Sequence, residues 1–104
     1  MSGFLKELRE TGMDGALLVR VPANEDVEYI AEYAIARYTN TRIISVFKCK
    51  DAAKAALNLQ ASLQNPRLSA QARNGRFIMT ASFYPPDEDA AAKIKAKFLA
   101  QKFD

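Results

Sequence analysis

Two short stretches of this 104-residue chain carry side chains suited to holding an anion. In KCKDAAK, Lys48, Lys50 and Lys54 crowd together; in QARNGRF, Arg73 and Arg76 bracket the pair Asn74-Gly75, with Arg67 a little upstream. Lysine offers a compact charge and arginine a planar fork of N–H donors, and both match phosphate oxygens. A helix beginning just after Lys50 would add backbone N–H groups and a partial positive charge, enough to hold a phosphate. The alternative is that Asp51 caps that helix and the lysines are only solvated. A third group, Tyr29, Tyr33 and Arg37, recurs every four residues and would line one side of a helix. Such a stripe could stack on bases or on a partner protein. Packing beneath a terminal helix is the simpler reading of the stripe.

Other chemistry finds little support. The chain has no histidine and one cysteine, Cys49, so the usual acid–base residue and metal ligand are missing and no internal disulfide can form. Cys49 lies between two lysines, which would favour a thiolate, although a lone cysteine at a strand end is more often simply packed. Glu25, Asp26 and Glu28 suit the start of a helix as dipole partners better than they suit proton transfer. There is neither a glycine-rich phosphate loop nor a dinucleotide fingerprint. The expectation is a non-enzyme with no cofactor and no metal.

Charge is distributed unevenly. Residues 1–41 carry four basic and seven acidic groups, residues 42–86 seven basic groups against the single Asp51, and residues 87–104 four of each, for a net of +3. A basic middle third is the footprint expected of a surface that meets polyanions. Apolar runs such as GALLV and AEYAIA fall short of a signal core or a membrane span. A single soluble, intracellular domain is therefore expected, cytoplasmic or in a nucleoid or nucleus, without membrane contact.

Periodicity supplies the elements to position these groups. A leading helix is expected over 3–11, ended by Gly12. GALLVRV (15–21) reads as a strand buried on both sides or nearly so, stopped by Pro22. Val27, Ile30, Ala31, Ala34, Ile35 and Tyr38 recur at helical spacing after Asn24, predicting a helix over 24–39. TRIISVFK (41–48) is β-branched and aromatic, a strand, and Asp51 then caps an alanine-rich helix running to Gln64. An Asn74-Gly75 turn would set Arg73 opposite Arg76, then Ala72 opposite Phe77, Ala70 opposite Met79 and Leu68 opposite Ala81, alternate pairs being apolar as a half-buried hairpin requires. Opposed arginines cost a few tenths to about 1 kcal/mol, so a compensating anion would be useful at such a tip. After Pro85-Pro86, Asp87 caps a final helix over 87–102 with acids first and lysines later. The order is α-β-α-β-α-β-β-α: a two-layer α/β domain with a mixed four-stranded sheet, core 15–84, and right-handed crossovers.

VEYIAEYAIARY, RIISVFKCKDAAKAAL and ARNGRFIMTASF together resemble the Alba family over roughly residues 15–84. These are small β-α-β-α-β-β proteins that bind DNA or RNA, usually as dimers, with a β-hairpin arm reaching along the nucleic acid. The resemblance implies a nucleic-acid partner, a homodimer, phosphate contacts at Lys48, Lys50 and Lys54, and an arm carrying Arg67, Arg73 and Arg76. This chain departs from the pattern in two places: the loop after the first strand is PANED where the family is basic, and CKD replaces a glycine after the second strand. The same order of elements also occurs in the C-terminal domain of a bacterial translation initiation factor and in sporulation proteins, so fold alone does not fix function. The alternative from another class is a protein-interaction adaptor or assembly subunit using the tyrosine stripe, the hairpin edge or the alanine-rich helix.

Overall fold

The computed structural model of the chain describes residue 4 and residues 16–23, 25–37, 40–65 and 68–102. Among the described residues five strands and two helices have defined bounds: β1 Ala16–Arg20, β2 Val27–Arg37, β3 Asn40–Cys49, α1 Ala52–Ser62, β4 Ala70–Asn74, β5 Phe77–Tyr84 and α2 Glu88–Ala100. The strands form one sheet in the order β1-β2-β3-β5-β4, with every neighbouring pair antiparallel. The domain is thus α+β with a five-stranded antiparallel sheet. The expected mixed four-stranded sheet with crossovers is not formed. Of the expected leading helix only Phe4, which is helical, falls within the described residues.

The correction comes from one segment. Residues expected as helix 24–39 are the strand β2, lying between β1 and β3 in the sheet. Both of its faces are apolar: Tyr29, Ala31 and Tyr33 turn one way, Val27 and Ile30 the other. A strand covered on both sides reads as a near-continuous apolar run, which periodicity alone does not separate from a buried helix. A β-bulge completes the mimicry. Val27 pairs with Cys49 and Tyr29 with Lys48, leaving Glu28 as the extra residue. The bulge shifts the phase of alternation so that Val27 and Ile30, three apart, enter the same cluster.

Helices cover both faces of the sheet. Beneath α2, Phe77, Met79, Ala81 and Phe83 of β5 meet Ile44 and Val46 of β3, Tyr33 of β2, and Ala91, Ile94 and Phe98 of the helix. Phe4 closes this core, its ring standing edge-on to Phe98 at 5.5 Å between centroids. Beneath α1, Ala55 and Leu59 pack on Val27, Ile30, Phe47, Cys49 and Ile78. Both helices start as the sequence leads one to expect: Asp51 accepts from the Lys54 N–H at 2.8 Å and Asp87 from the Ala90 N–H at 3.0 Å.

β1 departs from expectation in its surroundings. It is an edge strand, and its Leu17, Leu18 and Val19 are exposed rather than buried.

Candidate basic end of the sheet

The antiparallel topology gathers one end of every element in one place. Arg20 of β1 pairs with Ile30 near the start of β2, Val27 with the end of β3, and the β4–β5 turn follows beside Cys49. The start of α1 lies there too, since the Lys50 N–H donates to the Asp26 carbonyl at 3.0 Å and the Cys49 N–H to the Arg76 carbonyl at 2.8 Å. Asn74 brings in the last turn of α2, its amide donating to the carbonyls of Phe98 at 2.9 Å and Gln101 at 2.7 Å. Five of the six cations expected to bind phosphate, Lys48, Lys50, Lys54, Arg73 and Arg76, therefore share this end. The sixth, Arg67, lies outside the described residues.

The hairpin differs in detail from the expected one. Asn74 pairs with Phe77, so the two turn residues are Gly75 and Arg76, and Arg73 faces Ile78 rather than Arg76. Gly75 has φ +61° while Arg76 does not have positive φ, the sign pattern of a type II′ turn with glycine first. An Asn74-Gly75 type I′ turn would need positive φ at Asn74 as well and would pull its amide from α2. The pairing partner has moved by two residues, an even step, so Ala70 and Ala72 keep their face and both remain buried. The hairpin is not a free arm: β5 pairs with β3 from Phe77 to Tyr84. The opposed arginines are relieved by geometry. Arg73 Nη1 donates to the Gly75 carbonyl at 3.0 Å, and Arg76 Nη1 lies 3.9 Å from Glu28 Oε1.

Acids from the first third of the chain reach into this end. Glu28, turned out by the bulge, holds Lys48 as well, Oε2 to Nζ 3.4 Å, and Asp26 holds Lys54 at 3.4 Å. Lys48 also lies between two rings, its Nζ 5.7 Å from the Tyr29 centroid and 5.9 Å from that of Phe77. By contrast Lys50 and Arg73 are exposed, and neither forms an ion pair with a described residue.

The fold adds cations that sequence spacing did not single out. Arg20 arrives with β1, and Lys97 and Lys102 with the C-terminal turn of α2 that Asn74 binds. Among the described residues, the eight cations at this end, Arg20, Lys48, Lys50, Lys54, Arg73, Arg76, Lys97 and Lys102, outnumber five acids, Glu25, Asp26, Glu28, Asp51 and the Glu32 that pairs with Arg20. The two α2 lysines are far from the others in sequence; their position follows only from the contact of the hairpin with the helix end.

The tyrosine stripe is resolved otherwise. Tyr29, Tyr33 and Arg37 lie on β2, where an even spacing puts the two tyrosines on one face. Tyr33 is 1% exposed in the core under α2, and Tyr29 packs against the same cluster, so both rings serve packing. The Arg37 side chain lies outside what is described. Cys49 is fully buried, and burial pushes its thiol up, with Asp26 and Asp51 adding to the effect. The neighbouring lysines do not make it a thiolate.

Against protein-family models, characterised proteins and solved structures, this chain has no match. Among the described residues there is no group of three or more His, Cys, Asp or Glu side chains placed to hold a metal, and no helix long and apolar enough to cross a membrane. A cavity of about 550 Å³ lies at the opposite end, lined by Leu68, Ser82, Phe83, Pro86, Asp87 and Glu88 among others. It is acidic where the first end is basic.

Proposed function

We propose that the protein is a non-enzymatic binding domain whose basic end meets the phosphate backbone of a nucleic acid, DNA or RNA. The observation that supports this reading is the gathering of cations from β1, β3, the hairpin and both helices at one end, in excess of the acids there. Lys50, Arg73, Lys97 and Lys102 stand outside the ion pairs formed among the described residues. Lys48, Lys54 and Arg76 are held by carboxylates in partly exposed pairs. Such pairs contribute only about 0–1 kcal/mol, so a phosphate can replace the carboxylate at little cost. Among the described residues the hairpin at this end is tied into the sheet rather than a free arm, so the contact would be to backbone and independent of sequence.

Anisotropy of a labelled duplex and of a labelled single-stranded RNA, titrated across salt concentrations, tests the reading. If the four cations outside ion pairs each neutralise a phosphate, log K against log salt falls with a slope of roughly −3.6 on duplex DNA. Substituting Lys50 and Arg73 together with alanine should reduce the slope by roughly 1.8. Absence of binding at low salt, or affinity that salt does not change, overturns it.

A further inference from the structure

β1 is hydrogen-bonded on one side only: β2 pairs with it, and no described strand lies beyond it. Proteins protect such edges with lysine, proline, bulges or a covering element, since a bare edge templates the addition of another strand. Here Leu17 is 41%, Leu18 61%, Val19 58% and the following Val21 79% exposed, and Pro22 comes only after them. The one charge in the strand, Arg20, is drawn back onto the sheet, its Nε 3.7 Å from Glu32 Oε2 of β2. The edge is apolar on both faces, and no described residue covers or guards it.

We propose that a second copy of this chain occupies this edge, its β1 running antiparallel to the first about a two-fold axis at Val19, so that two five-stranded sheets continue as one. The inference is independent of the nucleic-acid reading. Side chains from Leu17 to Val21 complement themselves in this register. Val19 meets Val19 of the second copy and Leu17 meets Val21, so one face is apolar throughout. On the other face Leu18 lies opposite Arg20 of the second copy. Leu18 pairs with Glu32 on its inner side, so Glu32, Leu18 and the incoming Arg20 fall in one row. The two charged residues are then two strand spacings apart, about 10 Å between Cα atoms, within the combined span of an arginine and a glutamate. Each Arg20 thereby has two carboxylates within reach, its own Glu32 and that of the second copy, and the four charges alternate in sign. An axis at Arg20 would instead set the two arginines face to face.

Light scattering of the full chain across a dilution series tests this, together with cysteine cross-linking. A particle of twice the chain mass, dissociating on dilution, is expected. Val19→Lys places two ammonium groups together at the axis and should leave a monomer, whose unfolding matches that of the unsubstituted chain at dilutions where the latter is itself dissociated, because Val19 is exposed within its own chain. Under mild oxidation Val19→Cys should cross-link to itself faster than Leu18→Cys, while the buried Cys49 does not compete. A chain that stays monomeric at every concentration, whether β1 then takes a strand of another protein or a segment of its own chain, overturns the proposal. So does a dimer that survives Val19→Lys, or a preference for cross-linking at Leu18→Cys, which would move the axis.

Discussion

Glu28→Gln isolates the role of the acids at the basic end. The Glu28 carboxylate bridges Lys48 at 3.4 Å and Arg76 at 3.9 Å, and glutamine preserves its volume while removing the charge that holds both cations. All three side chains are partly exposed, so the loss of folding stability should not exceed about 1–2 kcal/mol for the two pairs together. The effect on polyanion binding should be larger. If Lys48 and Arg76, no longer bridged by Glu28, each neutralise one more phosphate, the salt slope steepens by roughly 1.8 on duplex DNA. At ~0.1 M salt each fully engaged contact is worth roughly an order of magnitude through counter-ion release, which sets an upper limit of about a hundredfold on the gain. Asp26→Asn, which removes the carboxylate that holds Lys54, should give about half the change in slope. Glu88→Gln is the control for net charge, since Glu88 lies in the first turn of α2 beside the cavity at the other end. Anisotropy titrations of the three variants at several salt concentrations read these slopes. Equal behaviour of Glu28→Gln and Glu88→Gln would show that local release of Lys48 and Arg76 plays no part.

Three further outcomes concern the fold. Phe98→Ala removes a ring with no solvent exposure that stands against Phe4, and should cost about 3–5 kcal/mol in urea unfolding, a large part of the stability of an ordinary domain. Gly75→Ala should cost about 1–2 kcal/mol from backbone strain alone, because φ is +61° and an added Cβ would meet no atom within 4 Å; Gly75→Asn should cost less. The Ala90 N–H donating to Asp87, with Arg42 adding a hydrogen bond and charge, holds the Asp87 carboxyl below its ordinary value of 3.8. A depressed folded-state value stabilises above the unfolded one, so this contribution is fully present above about pH 5 and is lost as pH falls through the unfolded and then the folded value. Asp87→Asn should therefore lower the urea midpoint at neutral pH and make no difference in strong acid.

What was legible in the sequence was whatever local chemistry decides. Asp51 and Asp87 mark the starts of their helices because the cap is a contact over three residues, and Pro85-Pro86 bounds β5 for equally local reasons. β2 was not legible. Its alternation is interrupted by the bulge at Glu28, and the burial of its two faces comes from side-chain clusters built with residues distant in sequence. That one misassignment changed a meander into crossovers and an antiparallel sheet into a mixed one. At the basic end, the clustering of Lys48, Lys50 and Lys54 follows from proximity in the chain. Their pairing with Asp26 and Glu28, and the arrival of Lys97 and Lys102, depend on which strand ends the sheet brings together. The hairpin turn slipped because Asn74 has a partner outside the hairpin, in α2.

The order of strands also bears on how the chain folds. β2–β3 and β4–β5 are each closed by a connection of two residues, so either can form while the rest of the chain is unstructured. The seam between β3 and β5, where Val46 meets Met79 and Lys48 meets Phe77, encloses all of α1 and must close a much longer loop. Joining the two halves there is the costly event, so Val46→Ala and Met79→Ala should slow folding. Substitutions in β1, added outside the finished seam, should act on the unfolding rate instead.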